Sequence, residues 1–195
     1  MMPRYSYTLR NSVEVDGRQG VCAEGGYYWV SESKTLAKYD KDWKLIAKND
    51  SPFEGYEIEV NHIGDIDVYN NELYIGAEYF MDGVGKVHMQ MPPQLIQGIA
   101  YYKGSIYITA DDGNADDKEP DHLYRTTVKD GQTSCIVTLE RTFDDVTMQG
   151  EIEGLTFDRK NGKLLLLYNR GARIVLCFYD GYDREISEVF EYEVK

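Results

Sequence analysis

Four segments of this chain align with one another, and internal repetition constrains a fold more than any other feature of this sequence. Each segment has a polar residue paired with glycine, a short apolar run, a tight turn, and a second run of alternating aromatic and aliphatic residues. That order predicts a β-hairpin in each segment. The four segments are 19–31, 64–76, 97–109 and 153–167.

The turns of the four predicted hairpins are rich in residues that adopt a positive φ at low cost. Tight hairpin connections require such residues, so the turns support the strand assignment independently of hydrophobicity. The predicted turns are Glu24-Gly25-Gly26, Asn70-Asn71, Lys103-Gly104 and Asn161-Gly162.

Further strand-like runs follow the first, third and fourth hairpins, so a full unit holds four antiparallel strands. These runs are 36–40 with 43–47, 122–125 with 135–140, and 173–179 with 188–194. Four strands per unit, repeated every ~40–50 residues, are typical of a β-propeller. The sequence predicts one all-β domain over residues 1–195, a β-propeller of about four blades. The predicted blades are 19–50, 61–91, 97–143 and 153–194.

The second unit is too short for a full blade. Positions 65 and 98 are equivalent in the second and third copies. The chain between them is too short for four strands of about 5 residues each with their turns. The chain is then either a compact ring with one shortened blade or a shortened version of a larger propeller. The alternating run 4–9 precedes the first copy and is predicted to pair into the last sheet, which would protect an exposed edge.

Composition restricts the partners and the compartment. The formal net charge is -13, which repels phosphate backbones and anionic lipid, so neither nucleic acid nor a membrane surface is an expected partner. The N-terminus has no apolar leader, which weakly favours the cytoplasm. Seventeen tyrosines favour strands over helices. The three cysteines, Cys22, Cys135 and Cys177, lie in apolar runs and are expected to be buried thiols.

A Gln/Glu-Gly-Ile/Leu start, seen in Gln97-Gly98-Ile99 and Glu153-Gly154-Leu155, followed by a Tyr-rich second strand resembles blades of the gluconolactonase-like, NHL-type and phytase-like propellers. The resemblance covers all four copies. In gluconolactonase-like proteins an acidic residue before glycine in a first blade strand helps to bind a central divalent metal, and Glu153-Gly154 matches that pattern. The resemblance thus implies a metal role for Glu153.

The first strand of each propeller blade lines the central channel, so polar residues at its start are expected to converge on one axis. Carboxylate, amide and imidazole groups gathered there could form a cation site, with Glu153 and Asp65 as ligands, or an acid/base pocket. Alternatively, they hydrogen-bond neighbouring blades and ordered water. The candidates are Gln19, His62, Asp65, Gln97, Glu151 and Glu153.

A second candidate site is the acidic stretch 110–122. Oxygen ligands at alternate positions, Asp112, Asn114 and Asp116, with a nearby glycine, suit calcium. An acidic surface loop without a metal explains the same residues. In the last unit, Arg170 could clamp a carboxylate ligand, or it could neutralise the glutamates nearby.

Two functions remain open. One is a binding module for a polar small ligand, a glycan or a protein at the channel mouth, and the other is a divalent-metal-assisted hydrolase of lactonase or ester type. No glycine-rich phosphate loop opens a helix, so a nucleotide cofactor is not expected. Exposed aromatic side chains would form a recognition surface. The candidates are Tyr27, Trp43, Tyr101, Tyr102 and Tyr182.

Overall fold

The computed structural model describes residues 3–57, 60–78, 95–111, 120–127, 136–146, 150–171 and 185–195. Every regular element in these ranges is a β-strand, which confirms the predicted all-β class. No helix that could span a membrane occurs among these residues. The strands are β1 (Tyr7–Glu14), β2 (Gly20–Glu24), β3 (Tyr27–Glu32), β4 (Thr35–Tyr39), β5 (Leu45–Asn49), β6 (His62–Tyr69), β7 (Glu72–Glu78), β8 (Leu95–Tyr102), β9 (Ser105–Asp111), β10 (His122–Thr126), β11 (Thr138–Thr142), β12 (Gly150–Phe157), β13 (Leu164–Gly171) and β14 (Glu185–Val194).

The strands form four antiparallel sheets, and consecutive strands pair within each sheet. Sheet I has the order β2-β3-β4-β5, sheet II is the pair β6-β7, sheet III has the order β8-β9-β10-β11, and sheet IV has the order β12-β13-β14-β1. The N-terminal strand therefore pairs with the C-terminal strand, as predicted, with Tyr7 opposite Val194. Sheet IV thus joins the two ends of the chain.

Two strand positions differ from the predicted ones. The third place in sheet IV belongs to β14, which pairs directly with β13, and not to the run 173–179, which lies outside the described residues. The fourth strand of sheet III is Thr138–Thr142, later than the predicted 135–140. Apolar runs of similar composition compete for one sheet position, and contacts distant in sequence decide which run takes it.

The four hairpin turns have the predicted backbone. Positive φ angles occur at Gly25 and Gly26, at Asn70 and Asn71, at Lys103 and Gly104, and at Gly162. Asparagine tolerates this conformation through its short polar side chain, and glycine has no Cβ to oppose it. The local sequence is sufficient to determine these turns.

Strand β13 is buried on both faces because sheet IV packs between sheets I and III. Leu164 and Leu166 belong to a core shared with sheet III, whereas Leu165 and Leu167 belong to a core shared with sheet I. All four side chains have no exposed surface. Burying a leucine stabilises the fold by roughly 1.5–3 kcal/mol. A smaller third core joins sheets I and II around the buried thiol of Cys22.

The buried carboxylate of Glu140 ties the N-terminal segment to sheet III. Its Oε1 accepts hydrogen bonds from the backbone N–H of Arg4 (2.9 Å) and Tyr5 (3.0 Å) and from the Tyr7 hydroxyl (3.2 Å). Its Oε2 accepts from Arg125 Nε at 2.9 Å. Four donors offset the cost of burying the charge, and they hold residues 4–7 across the junction between sheets III and IV.

Candidate functional site

The first strands of the four sheets, β2, β6, β8 and β12, are here called the inner strands. Three of them carry a β-bulge at corresponding positions of the aligned segments. The register shifts between Ile63 and Ile66 in β6, between Ile96 and Ile99 in β8, and between Ile152 and Leu155 in β12. The bulged residues are the polar-glycine pairs that the sequence alignment singles out, 64–65, 97–98 and 153–154.

Glycines at these positions let the inner strands approach backbone to backbone. A Cβ on Gly98 would lie 2.8 Å from the carbonyl oxygen of Glu153, and one on Gly154 would lie 2.9 Å from the Cα of Gly20. A Cβ on Gly20 would lie 2.7 Å from the backbone nitrogen of Ile66. Real Cβ atoms do not make such contacts, so these junctions require glycine. Strand β8 therefore contacts β12, β12 contacts β2, and β2 contacts β6.

Asp65 makes the fourth junction, between β6 and β8. It occupies the position that glycine holds in the other three aligned segments. Its Oδ1 accepts a hydrogen bond from the backbone N–H of Ile66 at 2.9 Å, and its Oδ2 accepts from that of Ile99 at 3.5 Å. The carboxylate thus links two inner strands where the other junctions have direct backbone contact.

Burial raises the pKa of the Asp65 carboxyl to about 7, and the nearby charge of Asp67 adds to this rise. The hydrogen bonds from Ile66 and Ile99 act in the opposite direction because they favour the charged form. Burial dominates, since the side chain sits against the backbone of Gly20, with Oδ1 2.8 Å from the place of a Cβ there.

The other predicted axial residues lie on the inner strands or just before them. His62 begins β6, opposite Glu78; Glu151 is buried in β12, opposite Asn169. Gln19 precedes β2 and donates its backbone N–H to the Ser31 carbonyl at 2.9 Å. Gln97 and Glu153 are the polar members of two of the bulges.

Within the described residues, no group of three or more His, Cys, Asp or Glu side chains could hold a metal ion, and the metal role of Glu153 and Asp65 stays a prediction. Both oxygens of Asp65 accept backbone hydrogen bonds, which leaves this carboxylate poorly placed as a ligand. The predicted calcium ligands Asp112, Asn114 and Asp116 lie outside the described residues, and so does the side chain of Arg170.

A cleft lies where all four inner strands meet, on the side toward their hairpin turns. We call it the turn-end cleft; the room inside it is about 10 Å³, enough for about one water molecule, so a larger ligand would contact its rim. It does not include the predicted axial ligands His62, Asp65, Gln97 and Glu153. The lining residues are Ala23, Ile66, Asp67, Ile99, Ala100, Tyr101, Leu155, Thr156, Phe157 and Arg159.

The rim of the turn-end cleft combines a carboxylate, a guanidinium and exposed apolar side chains. Tyr101 is 64 % exposed and Ile99 is 59 % exposed. Asp67 and Arg159 are also exposed, and the Arg159 guanidinium lies over the ring of Tyr69, 5.9 Å from its centroid. The rim, and not the water-sized space inside the cleft, is therefore the surface that a ligand could contact.

The sequence indicated Tyr101 as an exposed aromatic residue but indicated neither Asp67 nor Arg159. Of the other predicted aromatic residues, Tyr27 is exposed and Tyr102 is buried, stacked on Phe157 with centroids 4.2 Å apart. Trp43 is partly buried and stacks on Tyr28; Tyr182 lies outside the described residues. Arg159 lies in the fourth hairpin turn, which the sequence alignment marked only as a turn.

Comparison with known proteins gives little further information. No family model matches the chain, and no curated protein does. Among solved structures, a computationally designed protein, Ika4, is 15% identical over 79% of this chain and 85% of that chain, with a TM-score of 0.25. The extracellular domain of a putative hybrid two component system, BT4673 from B. thetaiotaomicron, is 17% identical over 78% of this chain and 20% of that chain, with a TM-score of 0.27. Similarities at these TM-scores do not define a shared fold.

Proposed function

We propose that the chain is a binding module in which four sheets form a compact β-propeller and the rim of the turn-end cleft binds a small polar ligand. The observation that carries the proposal is the convergence of all four inner strands on one cleft whose rim holds Asp67, Tyr101 and Arg159. Groups from distant parts of the sequence meet there, as they do in ligand sites.

The contacts between inner strands support a closed ring of four blades. Three junctions are glycine contacts, and the fourth is the hydrogen bond from Ile99 to Asp65. A donor-to-acceptor distance of 3.5 Å leaves no space for another sheet between β6 and β8. This contact favours the compact ring over a larger propeller that has lost a segment.

The position of the turns supports a site at this end of the ring. The Asn71 N–H of the second turn donates to Glu24 Oε2 beside the first turn at 2.7 Å. The fourth turn reaches the second through Arg159 and Tyr69. Three of the four turns are therefore linked to one another at this end of the inner strands.

The proposal is tested by ¹H–¹⁵N NMR titration with a panel of small polar molecules: D-glucuronate, D-glucose, acetate, phosphate and L-leucine. At least one should cause saturable shifts of the amide signals of Asp67, Ile99, Tyr101 and Thr156. Shifts confined to other surfaces, or no shifts for any of these molecules, would overturn the proposal.

The hydrolase alternative stays a prediction, and one comparison separates it from binding alone. Melting curves of the parent and of Glu153→Gln are recorded with calcium, with magnesium and with EDTA, since a ligand that binds only the folded state raises the melting temperature. The binding proposal predicts the same metal response in both proteins. A rise lost in Glu153→Gln would favour the hydrolase.

A further inference from the structure

Sheet III has two faces, and the alternation of side chains along its strands separates them. Tyr102, Tyr107 and Leu123 point into the core that sheet III shares with sheet IV. The side chains that alternate with these point to the opposite side, which we call the outer face of sheet III. The strand register aligns them in two rows across the four strands. The first row is Ile99, Ile108, Tyr124 and Leu139, and the second is Tyr101, Ile106, Thr126 and Val137.

The outer face of sheet III is apolar, and both ends of its rows are exposed. At one end lie the exposed side chains of Ile99 and Tyr101, and at the other Val137 is 49 % exposed and Leu139 is 44 % exposed. Neither row contains Asp, Glu, Lys or Arg, although the chain has 34 acidic and 21 basic residues. The solvent side of an antiparallel sheet is normally polar. A contiguous apolar face of this kind therefore indicates a protein interaction surface.

Sheet II, the next sheet around the axis, does not cover the outer face of sheet III. Ile66 and Val68 of sheet II belong to the core shared with sheet I, so the residues that alternate with them face the side of sheet III. Among those residues, Tyr69 is 52 % exposed, and Tyr74 of the neighbouring strand is 53 % exposed. Sheets II and III thus meet at their inner strands and diverge outward.

We propose that the outer face of sheet III packs on the same face of a second copy of this chain, in a two-fold symmetric dimer. The dimer does not depend on the proposed function, because Val137 and Leu139 lie outside the rim of the turn-end cleft. Ile99 and Tyr101 belong to both surfaces, so a bound second copy would cover part of the rim.

The area and the lack of charge of the outer face favour a second copy as its partner. The exposed parts of its apolar side chains amount to roughly 600 Å² per copy, and the resulting total of roughly 1,200 Å² lies at the low end of specific interfaces. Two sheets can pack face to face about 10 Å apart with their strands aligned within about 30°. A two-fold axis brings one surface against itself, and rows without charged residues can do this without placing like charges in contact.

Sedimentation equilibrium of the intact chain from about 5 to 500 µM tests the dimer, since interfaces of this size bind in the micromolar range. We expect the average mass to rise with concentration from 22.4 kDa toward twice that value. Raising the NaCl concentration should strengthen the dimer, because salt screens the repulsion between two chains of net charge -13.

Leu139→Lys should weaken the dimer at least about tenfold, because the contact would bury an ammonium group without a partner. Leu45→Lys is the matched control and should dimerise like the parent. Leu45 is 46 % exposed and lies on the fourth strand of sheet I, as Leu139 lies on the fourth strand of sheet III. Both substitutions change the net charge equally. Val137→Lys repeats the test on the same face if circular dichroism shows that Leu139→Lys does not fold.

A parent that stays monomeric up to about 500 µM would overturn the proposal, whether another part of the chain or a different protein covers the outer face. Equal effects of Leu139→Lys and Leu45→Lys, or a dimer that salt weakens, would place the interface on another surface and also overturn it. Ligand binding at the rim is tested separately by the NMR titration, so the two proposals can fail independently.

Discussion

Replacing Asp65 with asparagine should stabilise the protein at neutral and alkaline pH and have little effect near pH 4. Asparagine keeps the shape of the side chain and one of its two oxygen acceptors while removing the charge. Because folding raises the pKa of this carboxyl from 3.8 to about 7, the folded state favours the protonated form. The raised pKa of Asp65 therefore adds to the free energy of unfolding. This contribution is complete below pH 3.8 and is lost as the pH rises through 7.

The size of the effect follows from the same two pKa values. Each pH unit between them corresponds to 1.36 kcal/mol, so the charged carboxylate of the parent costs at most about 4 kcal/mol above pH 7. Solvent reaches part of the Asp65 side chain, and screening lowers this figure. We expect Asp65→Asn to exceed the parent by about 2 kcal/mol or more in free energy of unfolding at pH 8.

The assay is urea unfolding of the parent and the variant at pH 5, 6, 7 and 8, followed by the fluorescence of Trp29 and Trp43. The stability difference should grow steadily with pH and level off above pH 7. Asp50→Asn, which changes an exposed carboxylate, is the control and should differ from the parent by less than ~0.5 kcal/mol throughout. A constant difference for Asp65→Asn across this range would refute the assigned pKa and the burial behind it.

Two further predictions concern stability. Gly154→Ala should lower the free energy of unfolding by about 1–3 kcal/mol or more, because the new Cβ meets backbone atoms that no side-chain rotation can move. Gly64→Ala should cost less than about 1 kcal/mol, since its nearest neighbour lies 3.9 Å away; similar losses in the two variants would contradict the glycine junctions. Glu140→Ala should cost about 3–5 kcal/mol by leaving buried donors unpaired, whereas Glu193→Ala, at an exposed ion pair, should cost at most about 1 kcal/mol. Chemical denaturation of these four variants measures the loss in free energy of unfolding for the glycine pair and for the glutamate pair. A small loss in Glu140→Ala would show that Glu140 does not hold residues 4–7 as described.

Local sequence determined the parts of the fold that were predicted correctly. Asn70-Asn71 and Lys103-Gly104 encode their turns directly, because few residue types adopt a positive φ cheaply. The strands beside these turns were predicted from the alternation of apolar and polar residues. The identity of the strand beside β13 was not predictable in this way, since it is chosen by contacts with the distant β1 and with the cores on both faces.

The candidate site was predicted only in outline. The inner strands approach one another at the polar-glycine pairs, whereas a ligand site formed by their side chains stays a prediction. The cleft is lined by residues that follow the bulges along the inner strands. In the sequence, Asp67 and Ile99 look like ordinary strand residues. A single sequence does not show on which face a bulged strand places the residues that follow the bulge.

The central claim is that the four inner strands surround one axis, and proton–proton nuclear Overhauser effects across the junctions test it most directly. The account predicts cross-peaks between Gly154 and Gly20, between the Ile99 amide and Asp65, and across the two remaining junctions. A spectrum with the three glycine contacts but no contact between Ile99 and Asp65 would show an open arc of sheets. Backbone pairing between strands of different sheets would contradict the ring altogether.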